Sequence, residues 1–275
     1  SSAASDVYKR QMITPVDRTS FRDGFEKITN TYHTLKKVIE KAGYTTGLGD
    51  EGGFAPDLKN SEDALQMLHD AIIQAGYTPG KEIAIAFDAA ASYFYNHDTK
   101  NYDFEGKTYT PEELGAYYIK LLDQFPEIIS IEDPYGEDDW DNFAKFTAKY
   151  GKRIQIVADD PVCTNPKLIT EAIQKGMANS ILIKLNQIGT VTETLEAIRL
   201  ARKNGYTTMM SHRSGETGDT FVADFTVATN AAQLKAGAPA RSERVEKYNQ
   251  LLRIEEELGS DGTRLAHFPD SVQFD

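Results

Sequence analysis

Five apolar runs in this sequence end on side chains that can do chemistry. EIAIAFDAA (82–90) delivers Asp88, EIISIEDP (127–134) Glu132 and IQIVADDP (154–161) Asp159. SILIKLNQ (180–187) carries Lys184, and TTMMSHRSG (207–215) the cluster Ser211, His212, Arg213 and Ser214. Three carboxylates from successive runs, with no His or Cys at ligand spacing beside them, form a hard oxygen donor set. That set suits Mg²⁺ better than zinc or copper, so Asp88, Glu132 and Asp159 are the candidate metal ligands. Asp133 and Asp160 are read as neighbours turned away from the centre, capping helices or pairing with lysines. Lys184 stands between Ile183 and Leu185, where an ammonium group is costly to desolvate. Near divalent cations and a second ammonium its charged form is disfavoured, so the neutral amine can serve as a general base. The plain alternative is a buried salt-bridge partner for the same acids.

These residues need elements that bring them together. The five runs are rich in Ile, Val and Phe and read as strands buried on both faces, as parallel strands are. Lys184 is read as lying inside its strand. Amphipathic stretches with legible ends lie between the runs. Thr110, Pro111 and Glu113 predict a capping box with proline at the first helical position, Thr190 and Glu193 a second box, and Asn165 with Pro166 a helix closed by Gly176. Phe21, Phe25, Ile28, Tyr32, Leu35 and Ile39 recur at helical spacing through 20–42 before Gly43, and 61–75 repeats the pattern before Gly76. YFYNHDTKNYDFEGKTY reads as a hairpin insertion. Alternating strands and helices predict an α/β chain with a (β/α)₈ TIM-like barrel, a doubly wound open sheet being the other architecture considered. In a parallel barrel the strand ends converge on one face, so the five runs would deliver one ring of side chains.

Bulk properties exclude other classes. The chain has 275 residues, 40% hydrophobic and 26% charged, which is ordinary for a globular protein with one large domain. A formal net charge of −12 argues against a nucleic-acid partner. No apolar run approaches the roughly 20 residues of a membrane span, and the N-terminus lacks a secretory pattern. The single cysteine, Cys163, excludes an intrachain disulfide framework. The expected location is the cytoplasm.

Three local motifs mislead. Gly47, Gly49 and Gly52 satisfy a dinucleotide fingerprint, but Asp50 and Glu51 inside it would repel a pyrophosphate, so it reads as a flexible acidic loop. GKT at 106–108 lies in the hairpin and lacks the upstream glycine. His212 beside Ser211 and Ser214 has no nucleophile elbow, and neighbours on one strand point to opposite faces. His33, His69, His97 and His267 are assigned to surface or packing.

Longer motifs carry a resemblance. GDEGGFAP, SIEDP, ADDPVCTNP, ILIKLNQIGT, SHRSGET and KAGAPARSERVEKYNQLLRIEEELG resemble enolase, the 2-phosphoglycerate dehydratase, in unbroken order from about Met12 to the C-terminus. The resemblance implies an enolase-type barrel that interconverts 2-phosphoglycerate and phosphoenolpyruvate with two Mg²⁺ ions, the second arriving with substrate. It implies that Asp88, Glu132 and Asp159 bind the first ion and that Ser214 helps with the second. By the same resemblance Lys184 removes the C2 proton and Glu51 helps the C3 hydroxyl leave as water. Lys235 meets the substrate carboxylate, Arg213 the phosphate, and His212 closes near the substrate. Enolases are commonly homodimers. Another lyase or racemase of the enolase superfamily, and a non-catalytic barrel with a binding role, are the alternatives.

The departures from the family are equally specific. Residues 1–11, SSAASDVYKRQ, show no resemblance and are set apart as a non-family leader, expected to be disordered, from a barrel domain at 12–275. The register that aligns Met12 puts Arg10 where the family carries a second catalytic glutamate, inverting the charge. Gly218 replaces the acid usual in the family. The barrel's first strand and the family's N-terminal α+β domain have no counterpart, so the expectation is a truncated barrel with two unpaired edges and impaired activity.

Overall fold

The computed structural model describes residues 10–266. Seven strands form one curled sheet in the order β1-β2-β6-β7-β8-β9-β10: β1 (Gln11–Pro15), β2 (Ile83–Asp88), β6 (Ile128–Glu132), β7 (Gln155–Ala158), β8 (Ser180–Ile183), β9 (Thr207–Ser211) and β10 (Gln233–Lys235). Pairing is parallel throughout except between β1 and β2, where Met12 faces Ala86 in an antiparallel register. β2, β7 and β8 are buried at every residue, matching the continuous apolar runs of the sequence. Among the described residues, β1 and β10 are the two ends of the strand order, so the sheet is a barrel wall that does not close there.

Helices α1 (Phe21–Lys41), α2 (Ser61–Gln74), α3 (Pro111–Gln124), α4 (Trp140–Tyr150), α5 (Pro166–Lys175), α6 (Leu185–Ile188), α7 (Val191–Lys203), α8 (Phe221–Ala228) and α9 (Ser242–Gly262) complete the chain. Their starts follow the side chains that cap them. Ser20 accepts from the Asp23 N–H, Asn60 from that of Asp63, and the Thr110–Glu113 box forms in both directions. The Thr190 box is only half made: its hydroxyl accepts from the Glu193 N–H but donates to the Glu193 carboxylate at 2.6 Å, so that carboxylate is not free to reach back to the backbone. Asn165 accepts from the Lys167 N–H, and Gly176 (φ 62°) ends α5 in the left-handed conformation.

Three expectations need correction. The aromatic insertion is a three-stranded antiparallel sheet, β3 (Tyr95–Asn96), β4 (Asn101–Phe104) and β5 (Lys107–Tyr109), because turns at both ends of β4 allow two pairings. Arg10 and Gln11, assigned to the leader, are part of the fold: Gln11 opens β1 opposite Phe87, and Arg10 reaches Asp88 at 3.3 Å. Residues 1–9 and His267 lie outside the described residues. The strand pattern also missed β1 and β10, which are five and three residues long and half-buried; runs so short carry no readable period.

Besides two small clusters, one of Tyr32, Ile39 and Phe54 and one of Val157, Leu182 and Met209, the main core cluster runs from the sheet into the surrounding helices and includes Ile85, Ile131, Ile156, Ile181, Leu114 and Phe143. Beneath it, at the N-terminal ends of the strands, Gln155 ties five strands together. It accepts from Ser130 Oγ (2.9 Å) and donates toward Ser180 Oγ, Thr207 Oγ1 and Gln233 Oε1 at 3.0–3.1 Å. A fully buried amide is tolerated because its hydrogen-bonding groups are met. Leu114, fully buried between α3 and the sheet, tests the core: Leu114→Ala should lower the unfolding free energy in urea by about 2–5 kcal/mol. A loss below about 1 kcal/mol would show that this layer does not carry the fold.

Candidate active site

The C-terminal ends of the strands carry the chemistry. Asp88 and Glu132 are the last residues of β2 and β6 and face each other across the ladder. Asp159 comes one residue after β7, and Lys235 ends β10. Lys184 is not inside a strand as the apolar run suggested. β8 stops at Ile183, and Lys184 is the extended residue (φ −124°, ψ 109°) before α6, its N–H donating to Thr164 Oγ1 at 2.9 Å. The pattern overran because Leu185 continues the apolar run while already belonging to the helix.

Two lysines organise the acids. Lys235 Nζ lies 3.2 Å from Asp88 Oδ2 and 2.9 and 3.0 Å from the two Glu132 oxygens, and its charged form is strongly held. Lys184 Nζ donates to Asp159 Oδ2, while Gln187 holds the other Asp159 oxygen at 3.1 Å. Asp133, read as turned away, is instead buried beneath this group. Its oxygens accept the backbone N–H groups of Asp159 (2.9 Å) and Asp160 (3.0 Å), which forces Asp133 into left-handed backbone at φ 42°. Ala90, Cys163 and Thr164 share that conformation in the loops after β2 and β7, the kind of strain that collects where a fold must aim particular side chains.

Among the described residues, Asp133, Asp159 and Asp160 bring carboxylate oxygens within 4.8 Å of one another. Asp88, Glu132 and Asp159, the ligand set read from the sequence, do not come together in that way among the described residues: Lys235 pairs with the first two and Lys184 with the third, and only Asp159 belongs to both sets. Burial, then the charge of Asp88 and more weakly that of Asp159, push the Glu132 carboxyl well above the usual range, with Lys235 opposing. Burial and the Asp159 charge also push Asp133 well above the usual range and raise Asp160. Buried acids that repel one another gain from added positive charge, and oxygen donors of this kind fit magnesium.

A second group faces the first. The loop 45–56 turns through Gly52 (φ 78°) and projects Glu51, whose backbone oxygen accepts the Ala238 N–H at 2.9 Å. Burial alone would raise the Glu51 carboxyl, but the neighbouring His212 ring and the charges of Lys235 and Arg10 outweigh it and hold it at about 2. His212, 2% exposed, places Nε2 at 3.4 Å from Glu51 Oε2. Burial lowers the His212 basicity, and Arg244 and Lys235 act in the same direction against Glu51. Arg213 and Ser214 follow at the surface; Arg213 donates to Asn186 Oδ1 at 2.9 Å. Ser211 turns back to the His212 carbonyl. The structure therefore brings Glu51, Asp88, Glu132, Asp159, Lys184, His212 and Lys235 to one end of the sheet. His33 is exposed, His69 pairs with Glu127 and His97 with Asp138, all away from it.

A family profile described as "Enolase, C-terminal TIM barrel domain" matches residues 3–267. The chain belongs to the enolase family. The match begins inside the segment 1–11 that the motifs had set apart. Among curated relatives, "Enolase 2" of Lactiplantibacillus plantarum is 86% identical over 264 residues, covering 96% of this chain and 62% of its own length. "Enolase 2" of Lactobacillus johnsonii and "Enolase 1" of Lactobacillus gasseri are each 70% identical, covering 96% of this chain and 62% and 61% of their own lengths. The chain thus spans about three-fifths of the length of the enolases it matches. No helix among the described residues is long and apolar enough to cross a membrane.

Residues that sequence reasoning missed support this enolase barrel's site from behind. Arg244 and Lys247 on α9 are both essentially fully buried. Lys247 pairs with Glu216 at 2.8 Å and donates to the Thr217 carbonyl at 2.6 Å, holding the loop after His212. A signal was present: Arg244, Lys247 and Leu251 fall at i, i+3 and i+7, one helix face, so two cations occupy positions expected to be apolar. Gly237 closes the arrangement. With φ +89° and an added Cβ 2.7 Å from the Glu51 oxygen and 2.8 Å from Arg244 Cδ, Gly237→Ala should destabilise the protein by about 1–3 kcal/mol. Gly218→Ala, where an added Cβ meets nothing within 4 Å, serves as the control. Equal melting temperatures for the two variants would contradict the tight seat of Glu51.

Proposed function

We propose that this chain is the catalytic barrel of a magnesium-dependent dehydratase interconverting 2-phosphoglycerate and phosphoenolpyruvate. The observation that carries the reading is the placement of a lysine amine and a separately held carboxylate, Lys184 and Glu51, on one end of the sheet around a buried acidic centre. The likeness to curated enolases supports it.

A C2 proton next to a carboxylate is weakly acidic, so its removal requires a base already aimed at it and charge to receive the dianion that forms. Lys184 takes the proton. Its present partner is Asp159. Glu51 meets the C3 hydroxyl: as the C2–C3 double bond forms the C3–O bond breaks, and the departing hydroxide takes a proton relayed from solvent through Glu51 and leaves as water. Lys235 faces the substrate carboxylate, and Arg213 with Ser214 the phosphate. His212 packs against Glu51 at the hydroxyl end. Asp88, Glu132 and Asp159 would hold magnesium, with Ser214 toward a second ion, and the bound charge would offset that of the developing dianion. Assembly as a dimer and a cytoplasmic location complete the proposal.

Lys184→Ala should abolish exchange of the C2 proton of 2-phosphoglycerate in deuterated buffer while leaving magnesium binding measurable. Exchange at the unaltered rate would remove Lys184 from the role of base. Arg10 lies on Asp88 at 3.3 Å and competes with a cation there. Since unit charges about 4 Å apart in water repel by ~1 kcal/mol, Arg10→Gln should tighten magnesium binding at least roughly fivefold by calorimetry. Weaker binding would show that Arg10 does not oppose the ion. Turnover of the unaltered chain is followed by the ultraviolet absorbance of phosphoenolpyruvate, and a rate equal to that of the longer curated relatives would contradict the impaired activity expected of a barrel with two unpaired edges.

A further inference from the structure

The His212 ring sits between two charged groups of opposite sign. On one side, Nε2 points at Glu51 Oε2 across 3.4 Å and is a buried polar atom without a formed hydrogen bond. On the other, Nδ1 lies 2.6 Å from Arg244 Nη1. A guanidinium has donors only and stays charged at any ordinary pH. At this separation Nδ1 must therefore be the acceptor, because an N–H there would meet another N–H. The hydrogen of a neutral ring is then left on Nε2, aimed at Glu51.

We propose that Arg244 is a positioning residue that holds His212 as the Nε2–H tautomer and thereby presents a hydrogen-bond donor to the Glu51 carboxylate. This deepens the dehydratase reading and rests on it, since Glu51 is the group assigned to the departing hydroxyl. The same guanidinium donates to the carbonyls of Arg213 (2.7 Å), Ser214 (2.8 Å) and Asp50 (3.0 Å). It therefore links the loop that carries Glu51 to the loop that carries His212. Arg244 is 1% exposed and sits in the first turn of α9, so the linkage is anchored to a long helix rather than to another loop.

The test reads the ring nitrogens directly. In the full chain labelled with ¹⁵N-histidine, two-bond proton–nitrogen spectra should show His212 with a protonated, pyrrole-type Nε2 and a bare, pyridine-type Nδ1. His212→Gln identifies the signal. In Arg244→Met the His212 signals should shift toward a mixture of tautomers, and dehydration should fall about tenfold to a hundredfold, the usual cost of losing a supporting hydrogen-bond partner. Exchange of the C2 proton, which depends on Lys184, should persist. Arg244→Lys, which keeps one charged donor, should recover the tautomer in part.

A His212 protonated on Nδ1 in the unaltered chain overturns the proposal whether or not the variants fold. So does a folded Arg244→Met protein that keeps the tautomer and the dehydration rate. Because the nitrogen signals are read without substrate, a wrong tautomer counts against Arg244 alone. A chain that exchanges no C2 proton counts against the dehydratase reading.

Discussion

Carboxylates that have lost their water dominate the energetics of this protein. Glu132 and Asp133 sit at the mouth of the sheet with almost no solvent, and Asp88 and Asp159 are nearly as enclosed. Each would prefer to be hydrated or protonated. The fold answers with cations on separate elements, Lys235 between Asp88 and Glu132 and Lys184 on Asp159, and with backbone N–H groups on Asp133. The compensation is partial, as the raised Glu132 and Asp133 carboxyls show. A site left short of positive charge in this way favours an added cation.

Holding that arrangement needs rigid support below and strain above. The Gln155 amide and its hydroxyl partners lock the N-terminal ends of five strands, so the C-terminal ends keep their spacing. Directly above them, Ala90, Asp133, Cys163 and Thr164 take left-handed backbone. Thr164 shows the use of such strain: its hydroxyl accepts the Lys184 N–H and donates to Gln187 Oε1 at 2.7 Å, and Gln187 in turn holds Asp159. A side chain from the β7 loop thus sets both the lysine and its acid on neighbouring strands.

The second constraint is helix α9. Its buried Arg244 and Lys247 reach over to the loops of Glu51 and of His212–Thr217, replacing what would otherwise be flexible surface connections. Gly237 and Gly52 allow the loops to approach so closely that no side chain fits between them: an added Cβ at Gly52 would lie 2.7 Å from the Ala240 oxygen. Of the three loop glycines that imitate a nucleotide fingerprint, Gly52 thus serves close packing, whereas an added Cβ at Gly47 would meet nothing within 4 Å.

Much of this was legible in the residues. Strands that must be buried on both faces are written as unbroken Ile, Val and Phe runs, and the helix starts at Thr110, Asn165 and Thr190 are written as capping side chains, because both follow from interactions within a few residues. The polar residues that end each run, Asp88, Glu132, Asp159 and Lys184, could therefore be picked out one by one. Their mutual distances could not. Whether Lys235 or a neighbouring acid stands beside Glu132, that Asp133 turns inward to two backbone N–H groups, and that Arg244 reaches from the last helix to a histidine 32 positions earlier depend on how strands and loops far apart in the chain are stacked. Local sequence decides conformation through short-range sterics and hydrogen bonds, whereas desolvation and charge pairing are set by whatever the curled sheet brings near, and that is decided only in three dimensions.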